Sequence, residues 1–258
     1  MIREIKFHID KLNFMKKYPK NIYYIGNLEL LKKRTISIVG TRKPNSYTKQ
    51  YTHDLSKELV KHNTCIVSGA AMGVDAIAHN AAGAENTIAI AGTGLDMRYP
   101  AVNKRLIEDI ETKGLMLSQF AINTPSQKYN FPMRNELIVS LGEVLIVTQA
   151  DLNSGTMRSI EFALKMNKPI FVLAHRIGES LGTNKLLAQG LAKAIYDIDK
   201  FIEAFVGFKN EIKHSDDFLE YCKLTPVYDE VIKKFPVKLF EYELSGKIKV
   251  ENGLVFVI

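Results

Sequence analysis

Thr35-Ile36-Ser37-Ile38-Val39 runs directly into Gly40-Thr41-Arg42-Lys43-Pro44. A short, mostly apolar stretch that ends on a glycine and two cations reads as a buried strand delivering a polar turn. The helical spacing through Asp54-Leu55-Ser56-Lys57-Glu58-Leu59-Val60 makes that turn the start of a helix. Three further stretches repeat the arrangement. Cys65-Ile66-Val67 leads into Ser68-Gly69-Ala70-Ala71-Met72-Gly73-Val74-Asp75, Ile88-Ala89-Ile90-Ala91 into Gly92-Thr93-Gly94-Leu95-Asp96, and Val144-Leu145-Ile146-Val147 into a turn holding Asn153-Ser154-Gly155-Thr156. In an open α/β sheet such turns gather at the carboxyl edge of the strands, where backbone N–H groups and helix N-termini form sites for anions.

Working outward, apolar runs at 35–39, 65–68, 87–91, 115–118, 143–148, 169–174 and 194–198 are separated by helical segments. The runs do not alternate apolar with polar, so both faces of each strand are expected to be covered. The fold class is therefore α/β: an extended Rossmann-like, mostly parallel, doubly wound sheet over residues 35–206. Residues 1–34 read as a basic amino-terminal arm. A composition shift near Phe205-Val206-Gly207-Phe208-Lys209 opens a small domain over 207–258, in which Val227–Lys234 and Lys238–Leu244 are helical and Ile248–Val257 is a hairpin turning at Asn252-Gly253. Two helices and a hairpin suggest a winged-helix-like unit. Its acidic balance and lack of a basic recognition helix favour a protein partner over a DNA groove.

Composition narrows the function classes. With 46% apolar residues in 258, the chain can fill a sizeable core, and it holds no apolar run long enough to span a membrane. The amino terminus lacks a signal-peptide apolar region, so a cytoplasmic location is expected. Cys65 and Cys222 are too far apart for metal-ligand spacing, and two reduced thiols with no metal are expected. The net charge is +7, but nine Lys/Arg against three acids fall in residues 1–34, eighteen against sixteen in 35–204, and eight against nine in the tail. Any polyanion site in the central domain must therefore be local.

The turns themselves exclude the commonest uses of this fold. Gly40-Thr41-Arg42-Lys43-Pro44-Asn45-Ser46 lacks Gly-x-Gly-x-x-Gly, and no Gly-x-x-x-x-Gly-Lys-Ser/Thr occurs, which argues against dinucleotide and P-loop nucleotide sites and against any cofactor. It offers Arg42 and Lys43 instead, a guanidinium and an ammonium suited to phosphodiester oxygens or simply solvated at a helix start. Asp75 and His79, four residues apart, share a helix face, and a structural pairing between them that fixes the turn is expected in preference to a catalytic dyad. Lys128-Tyr129-Asn130-Phe131-Pro132-Met133-Arg134-Asn135 combines cations with aromatics ahead of a helix, as a single-stranded nucleic-acid site does when cations track the backbone and a ring stacks a base. Alternatively, Phe131 staples the helix start.

Taken in order, these stretches resemble the DNA-processing protein A (DprA/Smf) family of natural transformation. The matching residues are Ile38–Pro44, Val67-Ser68-Gly69 with Ala71, Gly73–Ala76 with His79, Thr87–Ala89 with Gly94-Leu95-Asp96 and Tyr99-Pro100, Phe131-Pro132 with Arg134-Asn135, and Asn153–Thr156, extended by Gly182–Asn184 and Leu186–Gly190. The resemblance implies a Rossmann-like domain that binds single-stranded DNA, forms a homodimer and helps load the RecA recombinase onto transforming DNA, with no catalysis. It also implies DNA contacts by Arg42, Lys43, Ser68, Gly69, Lys128, Phe131, Arg134, Asn135, Asn153, Ser154, Gly155 and Thr156. Met72 stands where the family commonly has an arginine, and Gln119 and Gln149 replace frequent acids. Two alternatives keep the same fold: a phosphoribohydrolase of the lysine-decarboxylase-like type, in which Ser159 would occupy the position of a glutamate, and a binding module for a nucleotide signal.

Overall fold

Two short strands, β1 (Arg3–Glu4) and β2 (Tyr23–Gly26), precede the seven that the apolar runs mark: β3 (Arg34–Val39), β4 (Thr64–Ser68), β5 (Thr87–Ile90), β6 (Leu115–Ser118), β7 (Val144–Val147), β8 (Ile170–Leu173) and β9 (Lys193–Ile195). The computed structural model describes residues 1–207, 217–222 and 224–257. These fall into two units, Met1–Glu203 and Ala204–Ile258. In the first, one nine-stranded sheet runs β1-β2-β6-β5-β4-β3-β7-β8-β9. From β6 to β9 every neighbouring pair is parallel, while β2 lies antiparallel to both β1 and β6.

The burial that removes alternation is visible directly. Every residue of β4, β5, β6 and β7 is buried. The covering helices are α1 (Ser46–Lys61), α2 (Val74–Ala82), α3 (Lys104–Lys113), α4 (Asn130–Leu141), α5 (Thr156–Lys165), α6 (Leu181–Ala188) and α7 (Ile198–Gly207). From β3 the chain winds outward through β4, β5 and β6, then returns to β7 on the other side of β3. Right-handed crossovers in both directions put α1 and α2, which pack on each other, on one face, and α4 and α5, likewise packed, on the other.

Residues 1–34, read above as a basic arm, bring Ile9, Leu12, Met15, Ile22, Leu30 and Leu31 into the main core. One of their nine cations is spent internally: the Lys11 ammonium donates to the carbonyls of Leu31 and Lys33 and to the Thr35 hydroxyl, at 3.1, 2.9 and 3.0 Å. Burial accordingly lowers its pKa.

The second unit builds its own core. Phe218, Cys222, Val231, Leu239, Ile248 and Val255 pack together from α8 (Asp217–Cys222), α9 (Tyr228–Lys234), α10 (Pro236–Leu244), β10 (Ile248–Glu251) and β11 (Leu254–Val257). The hairpin turns on Asn252 and Gly253, both at positive φ (51° and 77°), as a two-residue turn between twisted strands requires. Three helices and a hairpin give the winged-helix-like plan, α8 being the helix that sequence patterning did not mark. Phe208 and Lys209, at the composition shift, lie outside the described residues. Among the described residues, Cys65 and Cys222 are both buried, no helix is long and apolar enough to cross a membrane, and no metal-holding cluster of three or more His, Cys, Asp or Glu occurs.

Candidate functional site

The reversal of strand order falls between β3 and β7, so the turns that follow them diverge to opposite faces and leave a crevice outside the carboxyl ends. Its volume is about 570 Å³, and the turn after β3, the turn before α5 and the first turns of α4 line it. Eight of the twelve residues marked from the sequence meet there: Arg42, Lys43, Phe131, Arg134, Asn135, Ser154, Gly155 and Thr156. Lys128 and Asn153 are exposed on the flanking segments and do not line it.

Backbone contacts fix the turn that carries the cations. Thr41 N–H donates to the Gln149 carbonyl at 2.9 Å, and Asn45 N–H donates to Gln149 Oε1 at 3.1 Å, so the end of β7 braces the end of β3. From the other side, Val74 N–H donates to the Thr41 carbonyl at 3.1 Å. This close approach needs Gly73: its φ is +79°, and a Cβ would lie 2.4 Å from the Thr41 oxygen. Asn45 then caps α1, accepting from Thr48 N–H at 2.8 Å. Arg42 and Lys43 stay exposed on a rigid turn.

Ser68 and Gly69 lie beneath the crevice. The Ser68 hydroxyl is fully buried and donates to the Ile38 carbonyl at 2.6 Å, tying β4 to β3. Gly69 makes room for a guanidinium: a Cβ there would sit 1.4 Å from Arg134 Nη1 and 2.7 Å from Asp75 Oδ2. Arg134 is 4% exposed and donates to the Ile90 carbonyl at 3.1 Å, while Asp75, 7% exposed, accepts from Gly69 N–H at 3.1 Å. Burial pushes the Asp75 carboxyl up, opposed by the Arg134 charge. Burial likewise pushes the Arg134 guanidinium down, opposed by Asp75. Under the site the two opposite charges, one on each side of Gly69, thus offset part of each other's burial cost.

Asp75 and His79 do not pair with each other. Each takes a neighbouring loop amide, His79 Nε2 accepting from Ala70 N–H at 3.3 Å, which leaves the proton of the neutral ring on Nδ1. Burial, and then the Arg134 charge, hold the His79 imidazole down at about 3 against an ordinary value of 6.5. Between those values the unfolded chain binds a proton that the folded chain refuses. His79 therefore makes the fold lose stability as pH falls from 6.5 toward 3, at up to about 1.4 kcal/mol per pH unit. His79→Gln, which keeps an acceptor but cannot titrate, is expected to flatten that slope in urea denaturation. Asp75 contributes an opposite slope above 3.8 in both proteins, so the difference between them reads His79 alone. Equal slopes would refute the assignment.

The aromatic part of the site is set by α4. Helix formation begins at Asn130, so Phe131, Arg134 and Asn135 lie inside its first turns, where the sequence suggested a preceding loop. The cause is Asn130, buried, whose amide donates to the carbonyls of Gly92 at 2.9 Å and Pro125 at 3.1 Å. Phe131 is half-buried, its ring laid over Gly92, where a Cβ would be 2.9 Å from Cδ1. The guanidinium carbons of Arg42 and Arg134 stand 5.8 and 5.9 Å from the ring centroid. Tyr99, exposed, adds a second ring at 5.8 Å. Tyr99 and Gln149 stand on the motifs quoted above, yet neither is among the residues marked from the sequence for the site. Ser159 lines the crevice where a hydrolase would need its glutamate, and Glu161 is turned outward against Arg158 at 2.8 Å.

The family model for DNA recombination-mediator protein A matches residues 5–206. The chain belongs to this family. Relatives include DprA of Bacillus subtilis, 35% identical over 72% of this chain and 64% of its own length, and DprA of Streptococcus pneumoniae, 36% identical over 67% of this chain and 62% of its own. Smf of Synechocystis is 36% identical over 67% of this chain and 45% of its own length. The chain thus spans about half to two thirds of the relatives it matches. Among solved structures, DNA processing protein A of Helicobacter pylori, described for its single-stranded DNA binding mode, is 39% identical with a TM-score of 0.79, covering 80% of this chain and 96% of that one. The Streptococcus pneumoniae structure is 32% identical with a TM-score of 0.71, covering 77% and 72%. The resemblance therefore begins well before residue 35, and residues 5–34 fall within the family match.

Proposed function

We propose that the crevice binds single-stranded DNA, and that the chain, acting in the cytoplasm as a homodimer and without chemistry of its own, shields incoming transforming DNA and helps load RecA onto it. The observation that carries this reading is the placement of two exposed cations, Arg42 and Lys43, on a braced turn within reach of the half-buried Phe131 ring. Phosphates are held by the cations and by amides at the start of α5, while a base stacks on Phe131 and Tyr99. The single-stranded DNA binding mode described for the Helicobacter pylori relative supports it.

The test is fluorescence anisotropy of the purified chain with labelled oligo-dT at two salt concentrations, where affinity should fall steeply with salt. Phe131→Ala is expected to weaken binding about tenfold, as loss of one stacking platform does, with an unchanged salt slope. Full affinity in folded Phe131→Ala would remove the ring from the site. Failure to bind oligo-dT, together with turnover of a nucleoside monophosphate, would reverse the reading. Assistance to RecA is tested separately, by filament assembly on DNA already coated with a single-strand-binding protein.

A further inference from the structure

Arg42 and Lys43 border two hollows. The second, of about 530 Å³, opens on the α1 and α2 side of the same turn, and Pro44, Lys49, Gly73, Ala76, Ile77 and Asn80 complete its lining. Three cations and an exposed amide surround a floor of uncharged residues, and no carboxylate lines it. The first turn of α1 likewise carries no acid, so its amino-terminal partial charge adds to the positive field.

What marks this hollow is the convergence of three cations on one concavity with no carboxylate in its lining. Several other surface cations are matched, such as Lys32 with Glu29, Lys61 with Glu58, Arg98 with Glu111 and Arg158 with Glu161. Among the described residues, Arg42, Lys43 and Lys49 form no ion pair. Three unmatched cations in a row, shared between two adjoining hollows, describe a track for a polyanion. The first hollow holds a ring for stacking and the second has none among its lining residues, so the second suits the backbone and leaves bases facing solvent.

We propose that a single strand seated in the crevice continues over Arg42 and Lys43 into the hollow between α1 and α2, where Lys49 and Asn80 hold the next phosphates. This rests on the crevice being a single-stranded DNA site. It makes the binding length longer than the crevice alone would give.

Oligo-dT of 6 and of 20 nucleotides separates the two hollows, with the full chain, Lys49→Glu, Asn80→Glu and a control, Lys57→Glu, which makes the same charge change two turns further along α1. All three substituted positions, the control included, are exposed, so folding is retained. For the 20-mer, Lys49→Glu and Asn80→Glu are each expected to lower affinity about tenfold or more, and Lys49→Glu to make the salt dependence shallower by about 0.7 in log–log slope. For the 6-mer, affinity should stay within about twofold. Equal losses for both lengths, or losses no greater than for Lys57→Glu, overturn the proposal while leaving the crevice intact. Binding of neither length by the unsubstituted chain overturns the crevice reading, and this one with it.

Discussion

Arg42→Ala is expected to weaken binding of a 20-nucleotide oligo-dT by roughly 10- to 100-fold, the loss of one charge-assisted contact to phosphate. In the proposed site the guanidinium has two duties, one to the strand and one to the face of Phe131, 5.8 Å away. Its removal should therefore also disturb the stacking surface. Lysine at the same place restores charge but neither the fork nor the flat contact with the ring, so Arg42→Lys should recover only part of the loss. Because Arg42 is exposed, its melting behaviour should be nearly unchanged, within about 0.5 kcal/mol. Isothermal titration and anisotropy with a folded Arg42→Ala protein check this, and undiminished affinity would place the strand elsewhere.

Arg134→Met should show the opposite pattern, a large effect on stability. The substitution keeps the apolar stem and removes the charge that faces Asp75 across Gly69, leaving a buried carboxylate without a match. Breaking a buried pair from one side typically costs about 3–5 kcal/mol. Asp75 then gains by taking up a proton, so the deficit relative to the unsubstituted chain should shrink as pH falls. The sign follows from a carboxyl already pushed up in the fold: freed of Arg134, it is pushed up further, and its penalty is felt only where it is ionised. Urea midpoints at pH 7.5 and 5.0, with Asp75→Asn combined with Arg134→Met as a partial rescue, test the account. A pH-independent deficit would show that lost packing, and not the unmatched charge, is responsible.

The parallel strands were legible because burial on both faces leaves a plain mark, a run such as Cys65-Ile66-Val67 with no polar alternation. β1 and β2 left no such mark. They are two and four residues long, they sit at the edge, and Tyr23, Tyr24 and Ile25 are only half-buried. In the site, the residues on strand-ending turns were legible, since a glycine beside a cation after an apolar run restricts what the turn can be. The division between surface and floor was not. Arg42 and Arg134 look alike in a sequence, yet one is exposed and the other buried against a carboxylate 59 positions earlier in the chain, a pairing that only the packing of α4 over β4 creates. Lys49 escaped notice for the same reason: on an amphipathic helix one exposed lysine reads as solubilising, and it takes the neighbouring α2 to turn it into the wall of a hollow.

The strand order also bears on how the molecule is made. A ribosome delivers β3 and β4 early, and these can pair at once, but the opposite edge of β3 stays open until Val144–Val147 emerges, more than a hundred residues later. Through that interval the nascent chain presents a row of unsatisfied amide and carbonyl groups along Ile36–Val39, the kind of edge to which a neighbouring nascent chain can anneal. The crevice straddles that same late seam, so a chain stopped before residue 144 lacks β7 and the turn before α5 that lines it, while its open edge on β3 stays uncovered.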